Sequence, residues 1–151
     1  MTDLLKISKQ VNDLLKTSGW IKDPHFNNSS ILKLWSKKKY VLSNAAVQFV
    51  NKFDGLKLKH EAYRSTDFDY SLFNAMKATQ EIDPSWVFDI YNTLADSTLT
   101  PIGQGYSEHL TYFISDNYKF YGGYDDYFCL IGDSTNAFFE NILFYKEFKQ
   151  L

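Results

Sequence analysis

A chain of 151 residues, 44% hydrophobic and 23% charged with a formal net charge of -2, has the composition of a folded globular protein, which argues against disorder. Its one cysteine, Cys129, excludes an internal disulfide framework, and the charged N-terminal stretch MTDLLKISKQVNDLLK lacks the unbroken apolar run of a signal peptide or membrane span. A cytoplasmic protein is expected, with Cys129 a buried thiol in the apolar run FCLI.

The charge is unevenly spread. Residues 1–60 hold eleven Lys against four acids, net +7, and residues 61–151 hold five Lys or Arg against fourteen acids, net -9. The halves are expected to attract each other. Acids gathered on one surface would favour a basic partner and repel phosphate backbones, so direct nucleic-acid binding is not expected.

In chain order, Leu4, Ile7, Val11, Leu14 and Leu15 recur at helical spacing and predict a first helix ended by Gly19. Ile31, Leu34 and Trp35 predict a second. Ser43 caps a third, with Ala46, Phe49, Val50 and Phe53 on its apolar face and Gly55 at its stop, which leaves the basic run Lys37 to Lys39 between helices. The period then changes to two, with Leu56, Leu58, His60 and Ala62 facing inward and Lys57, Lys59, Glu61 and Tyr63 outward, as in a half-buried strand.

Residues 64–82 give no clear pattern beyond a loop and a short helix. Asp83-Pro84 starts the next helix, whose buried stripe is expected at Val87, Ile90, Tyr91 and Leu94. From Leu99 the chain reads as a β-meander. Leu110, Tyr112 and Ile114 alternate with Thr111 and Phe113, Asp116-Asn117 makes a tight turn, and strands follow near 118–121 and 127–131. Asp133 or Ser134 caps a last helix burying Phe138, Phe139, Ile142 and Leu143. The expected architecture is one α+β domain over residues 1–151: a central, mostly antiparallel sheet flanked by helices.

Several motifs fall in a fixed order on these elements: a helix then GW (19–20), AAVQFVNKFDGL (45–56), a strand, PIG (101–103), a hairpin, and YGGYDDYFCLIGDSTNAFFENIL (121–143). In this order and spacing the chain resembles the SUKH superfamily of bacterial immunity proteins, specifically its third subgroup, from about Trp20 to Leu143. The resemblance implies a SUKH-like α+β fold and the role of an antitoxin that binds and blocks a cognate toxin, commonly a nuclease. The chain departs from the pattern at Asp54, where related proteins tend to carry a second glycine, and over residues 64–82.

The conspicuous residues make poor catalysts. His25, His60 and His109 do not stand at metal-ligand spacing from one another or from Cys129, so neither metal nor cofactor is expected, and His60 reads as a hydrogen-bonded core or rim histidine. Asp67 and Asp69 read as a solvated loop, and GQG at 103–105 lacks the Lys-Ser/Thr ending of a phosphate loop. Trp35 and Trp86 read as partly buried on helices. Trp20, Gly55, Pro101, Ile102, Gly103 and Gly132 match the family's motifs but read as packing and turn geometry.

The tyrosines are different. Tyr118 and Phe120 share one face of an extended strand, and the Gly122-Gly123 pair is expected to bend the chain and present Tyr124, Asp125 and Asp126 at a loop tip. Rings flanked by acids suit a basic protein surface, because tyrosine offers broad contact area at low entropic cost and carboxylates speed association with a cationic groove. Tyr106, Glu108, Tyr112, Asp116, Tyr121, Tyr124, Asp125 and Asp126 are therefore the expected partner-binding residues. The expected function is non-catalytic neutralisation of a toxin. A regulatory or scaffold module of the same fold is the alternative, and a small hydrolase using the carboxylates a third reading.

Overall fold

The computed structural model describes residues 5–21, 23–62 and 67–151. Leu4, Tyr63 and residues 64–66 lie outside them. Three helices come first: α1 (Lys9–Thr17), α2 (Ser29–Lys37) and α3 (Asn44–Phe53). The first starts later than the spacing predicts, because Ser8 takes the cap, its side chain accepting from the Val11 N–H, and Ile7 precedes the helix. Ser43 caps α3 as expected, accepting from the Ala46 N–H at 3.1 Å. Gly19 (φ +91°) and Gly55 (φ +95°) both adopt the left-handed backbone that ends a helix turn.

The strands are β1 (Lys57–Glu61), β2 (Phe68–Leu72), β3 (Leu99–Gly105), β4 (Leu110–Ser115), β5 (Phe120–Tyr124), β6 (Tyr127–Gly132) and β7 (Lys149–Gln150). They form one sheet in chain order, each strand antiparallel to the next. Between β2 and β3 run α4 (Ala75–Glu81) and α5 (Pro84–Trp86), the latter continuing through a wide π turn at Val87–Tyr91 into α6 (Asn92–Ala95). After β6 comes α7 (Thr135–Glu140), capped by Ser134, and a second π turn at Asn141–Tyr145.

Helices cover both sides of the sheet, and consecutive residues of β4 show it. Tyr112 meets the Phe138 ring of α7 at 5.3 Å, whereas Phe113 turns to the other face and meets Tyr91 at 5.6 Å. The first side is an aromatic cluster of Phe49, Phe53, Phe73, Phe120, Phe138 and Phe139, whose neighbouring rings lie about 4.4–6.4 Å apart. Burying each such side chain is worth roughly 1.5–3 kcal/mol. The second side is Tyr91 stacked on Phe128, with Phe128 stacked on Tyr121.

Five expectations are corrected. Residues 64–82 contain a strand, β2, and not only a loop and helix, so Asp69 is a strand residue. Ile90 and Leu94 are exposed, since the i→i+5 hydrogen bonding of the π turn widens the helix and breaks the 3.6-residue register of the buried stripe, while Val87 and Tyr91 stay in. Tyr118 is not in the strand; with φ +63° it belongs to the β4–β5 turn, and its hydroxyl donates to Gln48 Oε1 at 3.0 Å. Trp35 is fully buried, its indole N–H donating to Thr79 Oγ1 at 3.0 Å.

The fifth concerns Gly122 and Gly123, which lie within β5 and do not bend it. They are there for close approach. A Cβ at Gly123 would stand 2.6 Å from the Tyr91 ring, and one at Gly122 2.9 Å from Leu110. Similarly, the PIG motif is a β-bulge: Pro101 pairs with Phe113 and Gly103 with Tyr112, which leaves Ile102 as the extra residue where a proline without an N–H does no harm.

Candidate functional site

Two chain reversals meet at one end of the sheet. In the first, Tyr124 pairs with Tyr127 across a two-residue turn of Asp125 and Asp126, with Asp125 at φ +47°. Aspartate tolerates that left-handed backbone better than most residues. The turn is fixed from below, because the Tyr91 hydroxyl donates to the Asp125 carbonyl at 2.5 Å. Burial and the nearby Asp125 and Asp126 charges push the Tyr91 phenol well above its ordinary range, so it remains a donor.

The second reversal joins β3 to β4. Tyr106, Ser107 and Glu108 follow one another at φ +54°, +61° and +66°. Left-handed backbone costs roughly 1–2 kcal/mol per residue for side chains of this kind, so the surroundings must hold the turn. Asp69 accepts from the Ser107 N–H at 3.1 Å, the Tyr106 N–H donates to the Tyr70 carbonyl at 3.2 Å, and Lys77 forms an ion pair with Glu108.

Between these turns and the start of α5 lies a groove of about 260 Å³. Glu81, Asp83, Glu108 and Asp125 line it together with Trp86, His109 and Tyr124, and Asp126 is exposed next to Asp125. The Asp83 carboxyl is held below its usual range by the Ser85 hydrogen bonds that start α5. Glu81 accepts from Gln104 Nε2 at 2.6 Å. Asp125 and Asp126 make no ion pair among the described residues. The groove is therefore a concave anionic surface with two large rings in its walls.

Of the eight expected contact residues, Tyr106, Glu108, Tyr124, Asp125 and Asp126 gather at this end. Three do not. Tyr112 is fully buried, and its hydroxyl shares a 2.7 Å hydrogen bond with Ser71. Tyr121 is also buried, stacked on Phe128. Because helices cover both faces of β4 and β5, alternation along those strands chooses between two interiors and leaves no solvent side. Asp116 sits at the opposite end of β4, roughly 20 Å away at the ordinary strand rise, where it accepts from Ser97 Oγ at 2.6 Å. Glu81, Asp83 and His109 were missed as site residues. The helix-start signal of Asp83 was legible, but not the sheet pairing that brings it beside Glu108.

Ser71 also joins His60, at 2.7 Å from Nε2, while His60 Nδ1 lies 2.8 Å from the Glu61 carbonyl. The carbonyl can only accept, so Nδ1 carries the proton and Nε2 accepts from Ser71, which in turn accepts from Tyr112. This resembles a nucleophile with its base, but Ser71 and Tyr112 are fully enclosed. Burial pushes the His60 pKa down, against smaller upward effects of the Glu61 carbonyl and Asp69. It is a core rather than a rim histidine. Cys129 is buried too, and its thiol is pushed up to about 11 by desolvation.

Two lysines of the basic half lie on rings of the acidic half. Lys57 lies over the Tyr70 ring at 4.7 Å and Lys59 over Phe68 at 4.5 Å, on the exposed face of β1 and β2. The ion pairs Lys77–Glu108 and Lys146–Glu61 are both internal to the acidic half. Among the described residues no cluster of three or more His, Cys, Asp or Glu is placed to hold a metal ion, and no helix is long and apolar enough to cross a membrane.

A meandering antiparallel sheet packed by helices on both sides, with a carboxylate-lined groove at one end, defines a protein of α+β class. The model of the SUKH-3 immunity protein family matches residues 7–145, and the chain belongs to that family. No curated protein and no solved structure matches it.

Proposed function

We propose that the protein neutralises a cognate toxin whose working surface is cationic, of the nuclease type, by seating the groove of Glu81, Asp83, Glu108 and Asp125 over it. Membership of an immunity protein family supports a toxin partner. The groove's composition supports the partner's charge: four carboxylates line it, of which Glu108 is paired with Lys77, and no Lys or Arg among the described residues lines it. An enzyme acting on nucleic acid carries a basic cleft for phosphates, and carboxylates presented there compete with substrate and accelerate encounter. The neutralisation needs no cofactor and proceeds in the cytoplasm, one molecule to one toxin.

The test is coexpression with the cognate toxin domain, followed by gel filtration. The expected result is survival of the host and a one-to-one complex in which toxin activity is blocked. Survival without a complex, or a complex that leaves the toxin active, rejects the reading.

A further inference from the structure

Beside the acidic groove is a second, larger cavity of about 490 Å³, walled by Tyr106, Tyr124, Tyr127 and Phe148 above Leu110. His109 and Tyr124, whose rings lie 5.6 Å apart, line both spaces and form the partition between them. We infer that this aromatic cavity receives one arginine side chain of the toxin, an inference that rests on reading the groove as the docking face.

The chemistry selects the occupant. Ring faces carry negative electrostatic potential and attract a cation placed over them. Asp125, Asp83 and Glu81 stand across the partition in the adjoining groove, beside the Lys77-paired Glu108, which adds attraction for positive charge and rejects carboxylates and phosphates. Among the described residues no Lys or Arg lines the cavity to compete. Guanidinium suits it better than ammonium: it is planar, weakly hydrated and stacks on aromatic rings, so it loses less on leaving water. The volume accepts a whole side chain and falls within the range of ordinary ligand pockets.

The walls are also set in advance. Tyr106 packs edge-on against Phe148, with ring centroids 5.9 Å apart and planes at 79°, and also lies 5.0 Å from the His60 ring. Its position is fixed by the left-handed turn that Asp69 holds. A preformed pocket avoids part of the ordering cost of association.

The experiment has two arms. In the first, the full chain is titrated with the blocked tripeptide Gly-Arg-Gly and with the same peptide carrying citrulline, which keeps the shape and removes the charge, while NMR shifts of the cavity rings are followed. Saturable shifts at Tyr124, Tyr127 and Phe148 with arginine, and binding at least about fivefold weaker with citrulline, are expected. Equal binding of the two peptides, shifts elsewhere, or none overturns the inference. In the second, Tyr124→Leu and Tyr127→Leu, which keep an apolar wall without a ring, are measured against the toxin domain and should each weaken the complex about 5- to 30-fold. A complex with unchanged Kd in both variants overturns the arginine pocket and leaves the docking reading standing. If the native chain forms no complex, the docking reading falls, and the tripeptide arm still decides what the cavity binds.

Discussion

Tyr91 lies flat on Phe128, with ring centroids 4.7 Å apart and planes within 13°, while its hydroxyl reaches the Asp125 carbonyl. One residue of a π turn thus anchors in the core and holds the acidic tip from beneath. The two roles separate by mutation. Tyr91→Phe keeps the stack and removes the donor; it should cost about 1 kcal/mol by denaturant unfolding and speed amide exchange in the Asp125-Asp126 turn. Tyr91→Ala should cost about 3–5 kcal/mol. Unchanged exchange in Tyr91→Phe would show that the turn stands without this support.

The carboxylates of that tip should act on encounter more than on the bound state. Asp125→Lys with Asp126→Lys reverses two exposed charges that carry no ion pair among the described residues, and lysine in the left-handed backbone of position 125 should cost stability no more than about 1–2 kcal/mol. Stopped-flow association with the toxin should slow about tenfold or more at low salt, the deficit shrinking as salt screens the field. Equal rates at low salt would remove the tip from the contact.

How far the site was legible follows from which elements have one wet face. The three N-terminal helices, β1 and α7 each bury a single side, so helical or twofold spacing located their inward residues, and side-chain caps at Ser43, Asp83 and Ser134 marked where helices begin. In β4 and β5 both sides are dry, and the pattern that placed Tyr124 outside could not place Tyr112 and Tyr121 inside. Strand β2 hid because only Ser71 in FDYSL is buried, a polar residue held by His60 and Tyr112. The groove itself joins residues from α4, α5, β3 and two turns, a juxtaposition set by sheet pairing and absent from any local pattern.

Buried His60 makes stability depend on pH in a defined direction. Its folded pKa lies below the ordinary value of about 6.5 because desolvation outweighs the nearby Asp69 charge, with Lys146 adding to the depression. Below about pH 6.5 the unfolded chain therefore binds a proton that the folded chain refuses, and stability falls as pH drops through that window. Protonated Nε2 would also face Ser71 as a second donor and force the Ser71–Tyr112 hydrogen bonds to reverse. Unfolding free energy measured from pH 7.5 to 5 should decline, and His60→Gln should flatten the decline while lowering stability overall. A slope unchanged in that variant would assign the pH dependence to other groups.

Cys129 offers a probe of whether the sheet opens. Its side chain is fully enclosed, its Sγ lies 3.6 Å from the Gly122 carbonyl, and its raised pKa keeps it a thiol at neutral pH. Thiolate is the reactive form, so both access and ionisation block modification. A disulfide-exchange reagent should leave the native protein unlabelled at pH 8 and react promptly in denaturant. Since Gly122 and Cys129 are paired across β5 and β6, whose turn carries Asp125 and Asp126, the labelling rate reports opening of the hairpin that presents the acidic tip. Saturating toxin should slow that labelling further if it grips the tip. A rate that toxin leaves unchanged, in a complex proven by gel filtration, would place the contact away from this hairpin.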